Sequence, residues 1–241
     1  MSNNGTAPSS PSKPLPMRLL AIRLIQVDVM FLVLGASLFL SAGRLDWWEA
    51  WIFLAIYYVI TLASQIWLLR YDPDLAIERS RIGKDVKPWD KPIVALNLLL
   101  TIALFAVIGM DAGRFGWSHL PAVARLIGLL GLIPAFGLPL WAAYANTFLS
   151  GIVRIQSDRG HQVVTTGPYR YVRHPMYLGM ICYDLSLPLL LGSWWGLFVS
   201  SVMIIVVVAR TVLEDESLQA ELPGYAVYAG ETPYRLLPGI W

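Results

Sequence analysis

Charged side chains are scarce in this chain: Asp, Glu, Lys and Arg make up 14% of its 241 residues, against about a quarter in an ordinary soluble domain. Cysteine is scarcer still. Cys182 stands alone, which excludes an internal disulfide, and His119, His161 and His174 lie too far apart to give a metal-ligand spacing. There is no excess of either charge. A net charge of +2, with its Arg and Lys scattered, excludes nucleic acid as a partner class. An internal repeat is lacking, and no feature calls for an obligatory protein partner. What is abundant is apolar: 56% of residues are hydrophobic, so membrane lipid is the expected solvent.

Residues 1–16 are rich in Ser, Pro, Asn and Gly without apolar periodicity and read as a disordered tail, dispensable for chemistry. The run that follows, 17–42, is too long for a signal-peptide core and precedes further hydrophobic segments; it reads as a retained first span. A bilayer core needs about 20 mostly apolar residues per helix, and six stretches come close: 17–42, 47–69, 92–110, 122–148, 175–191 and 194–213. The pattern predicts an all-α, polytopic transmembrane bundle of about six spans. Gly192-Ser193 alone separates the last two, which makes them a tight helical hairpin. Trp47, Trp48, Trp51, Trp194 and Trp195 fit aromatic anchors at a lipid interface.

Lys and Arg are retained preferentially on the cytoplasmic side of short loops. With both termini inside, fifteen fall there: Lys13, Arg18 and Arg23; Arg70, Arg79, Arg81, Lys84, Lys87 and Lys91; Arg154, Arg159, Arg170 and Arg173; Arg210 and Arg235. Three fall outside, Arg44, Arg114 and Arg125. The 149–174 loop and the tail after Arg210 therefore share the expected cytosolic face.

Two clusters carry possible chemistry. In 163–179, Gly167-Pro168 marks a turn and Pro175 suits the first position of a helix, with His174 at its cap. Free amides there, backed by Arg170 and Arg173, make a place for a carboxylate or another anion. Gly179 would let something lie close against the backbone. The competing reading is an interfacial loop whose arginines touch lipid phosphates. In the second cluster, Arg210 and Glu214 share one helical face, but Arg preceding Glu is the weaker order. Glu214, Asp215 and Glu216 also oppose the helix dipole before Pro223-Gly224, so they want a cation. The arginines of 154–173, plain solvation, or a ligand with an ammonium and a sulfonium would each serve. Within the spans, Arg23 and Asp28 suit snorkelling or pairing near the interface, and Asp184 is left either lining a cavity or serving helix packing.

These residues resemble the integral membrane isoprenylcysteine carboxyl methyltransferases and phospholipid methyltransferases, especially their bacterial relatives. The resemblance covers about 145–241 and rests on Gly167 to Gly179, on Arg210 to Leu218, and on Leu222-Pro223-Gly224-Tyr225 through Arg235 to Gly239, in that order. It implies a 145–241 methyltransferase core behind variable, substrate-facing helices at 17–144, in a bacterial inner membrane. It also implies S-adenosylmethionine as cofactor, contacted by His174 and Tyr177 in a stretch that includes Gly167, Tyr169, Arg173 and Gly179. The acidic pair Glu214-Asp215 would help bind it, and Arg210 with Glu214 would lie by the reacting centre as the catalytic pair. The family usually carries Glu-Glu where this chain has the shorter Asp215. Trp89-Asp90 matches no residue of known role.

The expected reaction is methyl transfer to a lipophilic or lipidated acceptor entering from the bilayer. A carboxylate acceptor, as on a prenylated substrate, is preferred because it is ionised at neutral pH and needs no base; Arg210 would orient it. An amine would need deprotonation, with Glu214 nearest. A membrane reductase using a nicotinamide cofactor is disfavoured by Met176 and Met180, where those proteins carry Asn and Glu. A scaffold or transporter that kept the fold without the chemistry is the non-catalytic alternative.

Overall fold

A computed structural model describes residues 17–79 and 86–241. The expected tail at 1–16, together with Arg81 and Lys84, lies outside the described residues. Helices α1 (Met17–Ala42), α2 (Trp48–Tyr71), α3 (Pro73–Glu78), α4 (Asp90–Ile108), α5 (Ala122–Ala145), α6 (Pro175–Leu191), α7 (Trp194–Glu221) and α8 (Tyr225–Glu231) follow in order, and a π-helical turn, Gly109–Phe115, prolongs α4. No strand occurs among the described residues. Five helices are long and apolar enough to cross a membrane, and α6 is a shorter apolar helix. Its 17 residues reach about 25 Å at the standard rise. The chain is a multi-pass helical bundle.

The apolar residues divide as a lipid solvent requires. Leu38, Phe53, Leu104, Phe105, Ile108 and Leu187 are fully buried at the centre, whereas Leu40, Val59, Leu99, Ile133 and Ile205 are 62–78% exposed around the outside. Of the expected anchors, Trp48, Trp51, Trp194 and Trp195 are exposed; Trp47 is not, being buried in the core where Gly113 leaves room for its ring.

Small residues set the tightest packing, between α5 and α6. A Cβ on Gly128 would lie 2.3 Å from the Leu190 nitrogen, and one on Gly131 would lie 2.2 Å from Ser186 Oγ. Such close approach is how helices associate where burial in lipid gives no drive. Pro134 and Pro139 sit inside α5, as prolines do in membrane helices more often than in soluble ones.

The two ends of the bundle differ. At one, Asp111 of the π turn accepts Ser118 Oγ at 2.6 Å and Ser193 Oγ at 2.5 Å, while Ser193 caps α7 by accepting the Gly196 N–H. Arg125 pairs there with Glu49, and Arg114 lies against Gly43. At the other end, Arg23 donates to the Ala76 carbonyl, Arg79 to the Leu149 carbonyl, and buried Arg154 pairs with Glu78. Arg23 and Asp28 do not pair with each other; Asp28 accepts the Tyr58 hydroxyl. Asp184 is buried, with one carboxylate oxygen unpartnered among the described residues.

The widest boundary difference from the sequence reading lies in the last span. The last span, expected to stop at 213, continues as α7 to Glu221. Its buried stripe runs Gly196, Ser200, Met203, Val207, Arg210, Thr211 and Asp215, a three-to-four spacing that stays on one face. The helix does not end at its charges because those charges find partners elsewhere in the chain.

Candidate active site

The start of α6 is built as its sequence suggested, with Pro175 at the first turn and His174 as N-cap. The backbone amides of Arg173 and His174, however, are taken by the carbonyls of Tyr234 and Arg235, each at 2.9 Å. The anion held here is the protein's own. Asp215, fully buried, accepts Arg173 Nε at 2.8 Å and Tyr225 OH at 3.0 Å on Oδ1, with His174 Nε2 3.2 Å away. Its Oδ2 accepts Arg173 Nη2, Gln219 Nε2 and Arg235 Nε, all at 2.9 Å. Both oxygens are therefore occupied by protein donors, and Asp215 ties α7 to α6 and to the C-terminal segment. Arg170 is exposed and takes no part.

Glu214, one residue earlier, points the other way. It accepts the Tyr177 hydroxyl, is only partly buried, and makes no ion pair among the described residues. Arg210 lies one turn before it. Its guanidinium sits 5.3 Å from the Tyr177 ring centre and is bound to buried Asp90: Nε to Oδ1 at 2.8 Å and Nη2 to Oδ2 at 3.2 Å. The Gly151 carbonyl also accepts Nη2 at 2.9 Å. The α6–α7 hairpin thus brings Tyr177 to Glu214 and Arg210, while Asp90, unassigned from sequence, reaches them from α4. Its Oδ2 also accepts the Val153 N–H at 2.8 Å, fixing the 146–164 segment over the site.

Beneath that segment lies a cavity. Tyr169, Arg173, His174, Tyr177 and Glu214 line it, so five of the expected binding residues converge. Gly167, Gly179, Asp215 and Arg210 are not on its wall. Gly167 adopts φ +61° and faces Ala145; a Cβ on Gly179 would strike Pro139 at 2.5 Å, so both openings serve helix packing. The rest of the wall had no role assigned from sequence. Asn146, Phe148, Gln156 and His161 come from the intervening loop, and Leu218, Leu222, Tyr225 and Tyr228 from the end of α7 and from α8.

The loop side is mostly uncharged, and its Arg154 is paired with Glu78. Burial, then the charges of Arg154 and Arg159, lower the His161 pKa to about 4, so its ring is uncharged at pH 7 and packs on Phe148 at 4.8 Å. Burial raises the phenol pKa values of Tyr169, Tyr225 and Tyr228 above the ordinary tyrosine value. They are neutral hydrogen-bonding groups: Tyr228 donates to the Tyr169 carbonyl, and the Tyr169 hydroxyl accepts from Asn146. Glu214 is the one carboxylate on this wall among the described residues. Aromatic faces around a single acid suit a ligand with a flat ring and a cationic centre.

Residues 124–222 match a family model described as phospholipid methyltransferase. The stretch holds α5, the loop, α6 and α7, hence most of the cavity wall. Among curated proteins, the chain is 29% identical over 91 residues to a protein-S-isoprenylcysteine O-methyltransferase of Schizosaccharomyces pombe, covering 37% of this chain and 39% of that protein. It is 27% identical over 148 residues to the nickel-cobalt-cadmium resistance protein NccN of Alcaligenes xylosoxydans xylosoxydans, covering 57% and 60%. The chain thus spans about two-fifths and three-fifths of these relatives.

Proposed function

We propose, from the match of residues 124–222 to a family model described as phospholipid methyltransferase, that the chain transfers a methyl group from S-adenosylmethionine to a lipophilic acceptor, with a carboxylate acceptor preferred. The observation that supports this reading is the pairing of an aromatic wall with Glu214, a carboxylate that makes no ion pair among the described residues. S-adenosylmethionine would supply an electrophilic methyl on a positively charged sulfur, which becomes a neutral thioether as the acceptor oxygen gains the methyl. Glu214 and Tyr177 would face the cationic centre; Tyr169, His174 and Tyr228 would flank the rest; Asp215 would position Arg173 and His174 from behind. The work left to the protein is alignment of the two reactants and exclusion of water.

Detergent-solubilised protein is expected to bind S-adenosylmethionine and not NADPH by calorimetry. Glu214→Gln keeps an acceptor for Tyr177 but removes the charge, and should weaken binding roughly tenfold or more. An intact fold that binds NADPH instead, or a Glu214→Gln variant with wild-type affinity, would overturn the assignment.

The same reading sets the site in the cytosol of the cell, with both termini on that side, in keeping with the fifteen-to-three division of basic residues. In a Cys182→Ala background, Glu216→Cys should react with an impermeant maleimide only after permeabilisation, and Trp117→Cys should react in intact cells. Labelling of Glu216→Cys from outside would reverse the orientation and remove the cofactor's route.

A further inference from the structure

A second cavity adjoins the first. Trp67 and Leu68 of α2, Leu140 of α5 and Met176 of α6 make its apolar wall, and Arg23 and Arg79 its polar one. Met176 lines both cavities. The Leu149 carbonyl that accepts Arg79 Nε at 3.0 Å belongs to a residue on the wall of the first. Helices α2 and α5 meet on either side through the ring pairs Trp67–Tyr144 and Tyr57–Phe136.

Neither cation here has a carboxylate in direct contact among the described residues, although the charge of Asp72 acts favourably on Arg79. Arg23 donates to the Ala76 carbonyl at 2.9 Å and to Gln26 Oε1 at 3.1 Å, and both acceptors are neutral. Arg79 has only the Leu149 carbonyl, so its two terminal nitrogens lack a partner among the described residues. Neither arginine makes an ion pair among those residues. Burial first, and the charge of Arg23 next, pull the Arg79 pKa below its ordinary value, yet a guanidinium keeps its proton in a protein. Two partly buried cations at the edge of an apolar cavity are stabilised by an anion that either can reach. An alkylammonium group would meet like charge twice.

We propose that this cavity takes the head of the methyl acceptor, that the head is a carboxylate on a long apolar tail, and that Arg23 and Arg79 select it over an amine. The role as acceptor rests on the methyltransferase reading above; the selection of an anion does not. Such an acceptor has an oxygen lone pair ready to form the new C–O bond while the C–S bond breaks onto sulfur, and no proton has to move.

The test uses the full chain in nanodiscs of phosphatidylcholine and follows equilibrium binding of radiolabelled palmitate, with hexadecylamine as competitor. Palmitate should bind, hexadecylamine should fail to displace it, and Arg23→Gln and Arg79→Gln should each weaken palmitate binding roughly tenfold or more. Arg79→Lys should recover part of the loss. Affinity for S-adenosylmethionine, measured separately, should stay at the wild-type value in Arg23→Gln, and wild-type circular dichroism and thermal melting show that each variant is folded. Unchanged palmitate affinity in the double variant, or displacement by hexadecylamine, overturns the proposal. So does an anionic phospholipid that co-purifies with wild type alone and resists palmitate, since the cavity would then hold a resident lipid. Arg-dependent palmitate binding by a wild-type protein that ignores S-adenosylmethionine would sink the methyltransferase reading and leave the anion site standing.

Discussion

Asp215→Asn is expected to detach the C-terminal segment from α6 and to lower stability by about 3–5 kcal/mol, the cost of removing one partner from a buried ion pair. Asparagine nearly matches the side chain in size, so packing is hardly disturbed and the change is electrostatic. Arg173, 6% exposed, would lose both of its carboxylate contacts and stay buried. The Arg235 guanidinium would lose its own on the same atom. Arg173 would still reach the carbonyls of Thr232 and Pro233, each at 2.9 Å, but carbonyls cannot neutralise it. Thermal unfolding in detergent, followed by tryptophan fluorescence, reads the loss, and limited proteolysis near 231–235 locates it. Arg235→Gln is the comparison: that side chain is 28% exposed, and pairs that water can reach contribute about 1 kcal/mol or less. Equal melting of Asp215→Asn and wild type, or equal damage from the two variants, would remove Asp215 from its place as the anchor of this end.

What could be read from the chain in advance follows from how local each cause is. Spans 17–42 and 175–191 coincide with α1 and α6 because apolar length, a flanking glycine and a proline at the first turn are all local signals. The π turn at 109–115 was missed for the opposite reason. Its Gly109, Asp111 and Gly113 look like a loop until Leu38, Ser41 and Ala42 of α1 are packed against the glycines and two serines donate to one oxygen of the acid. In the site, the run from Tyr169 to Tyr177 marked itself through its turn, cap and basic residues. The loop wall, with Asn146, Gln156 and His161, did not, since isolated polar residues in a loop carry no spacing. Nor could Asp215 be separated from Glu214 by type: adjacent acids on a helix differ by about 100° in direction, and only the packed α6 and the C-terminal segment decide which one is enclosed. Tyr225 and Arg235 stood within recognised motifs, yet their role depends on an acid ten and twenty residues away across a turn.

Arg210→Lys is expected to lower the single-turnover rate of methyl transfer in proteoliposomes by roughly 100-fold, equivalent to about 3 kcal/mol, while leaving the positive charge in place. The guanidinium holds Asp90 with two nitrogens and the Gly151 carbonyl with one of them, and lies over Tyr177. A lysine ammonium is a single point donor and cannot reproduce that fork or its stacking. Its Nη1 has no protein partner among the described residues, so one prong stays available to a bound reactant. Because Asp90 also accepts the Val153 N–H, the pair fixes the cavity's loop wall as well as the prong. Asp90→Asn then separates two roles. Should Arg210 act by aiming its free nitrogen at the acceptor, Asp90→Asn, which frees the guanidinium to wander, should lower turnover and spare affinity for S-adenosylmethionine. Should the pair act mainly by clamping the loop, both variants should weaken that affinity in parallel and turnover at saturating cofactor should recover. The geometry favours the first outcome, since Arg210 is absent from the wall of the cavity yet stacks on Tyr177, which lines it. An Arg210→Lys enzyme with full turnover would leave Arg210 as a structural partner of Asp90 and would shift the reacting centre toward Glu214 and Tyr177 alone.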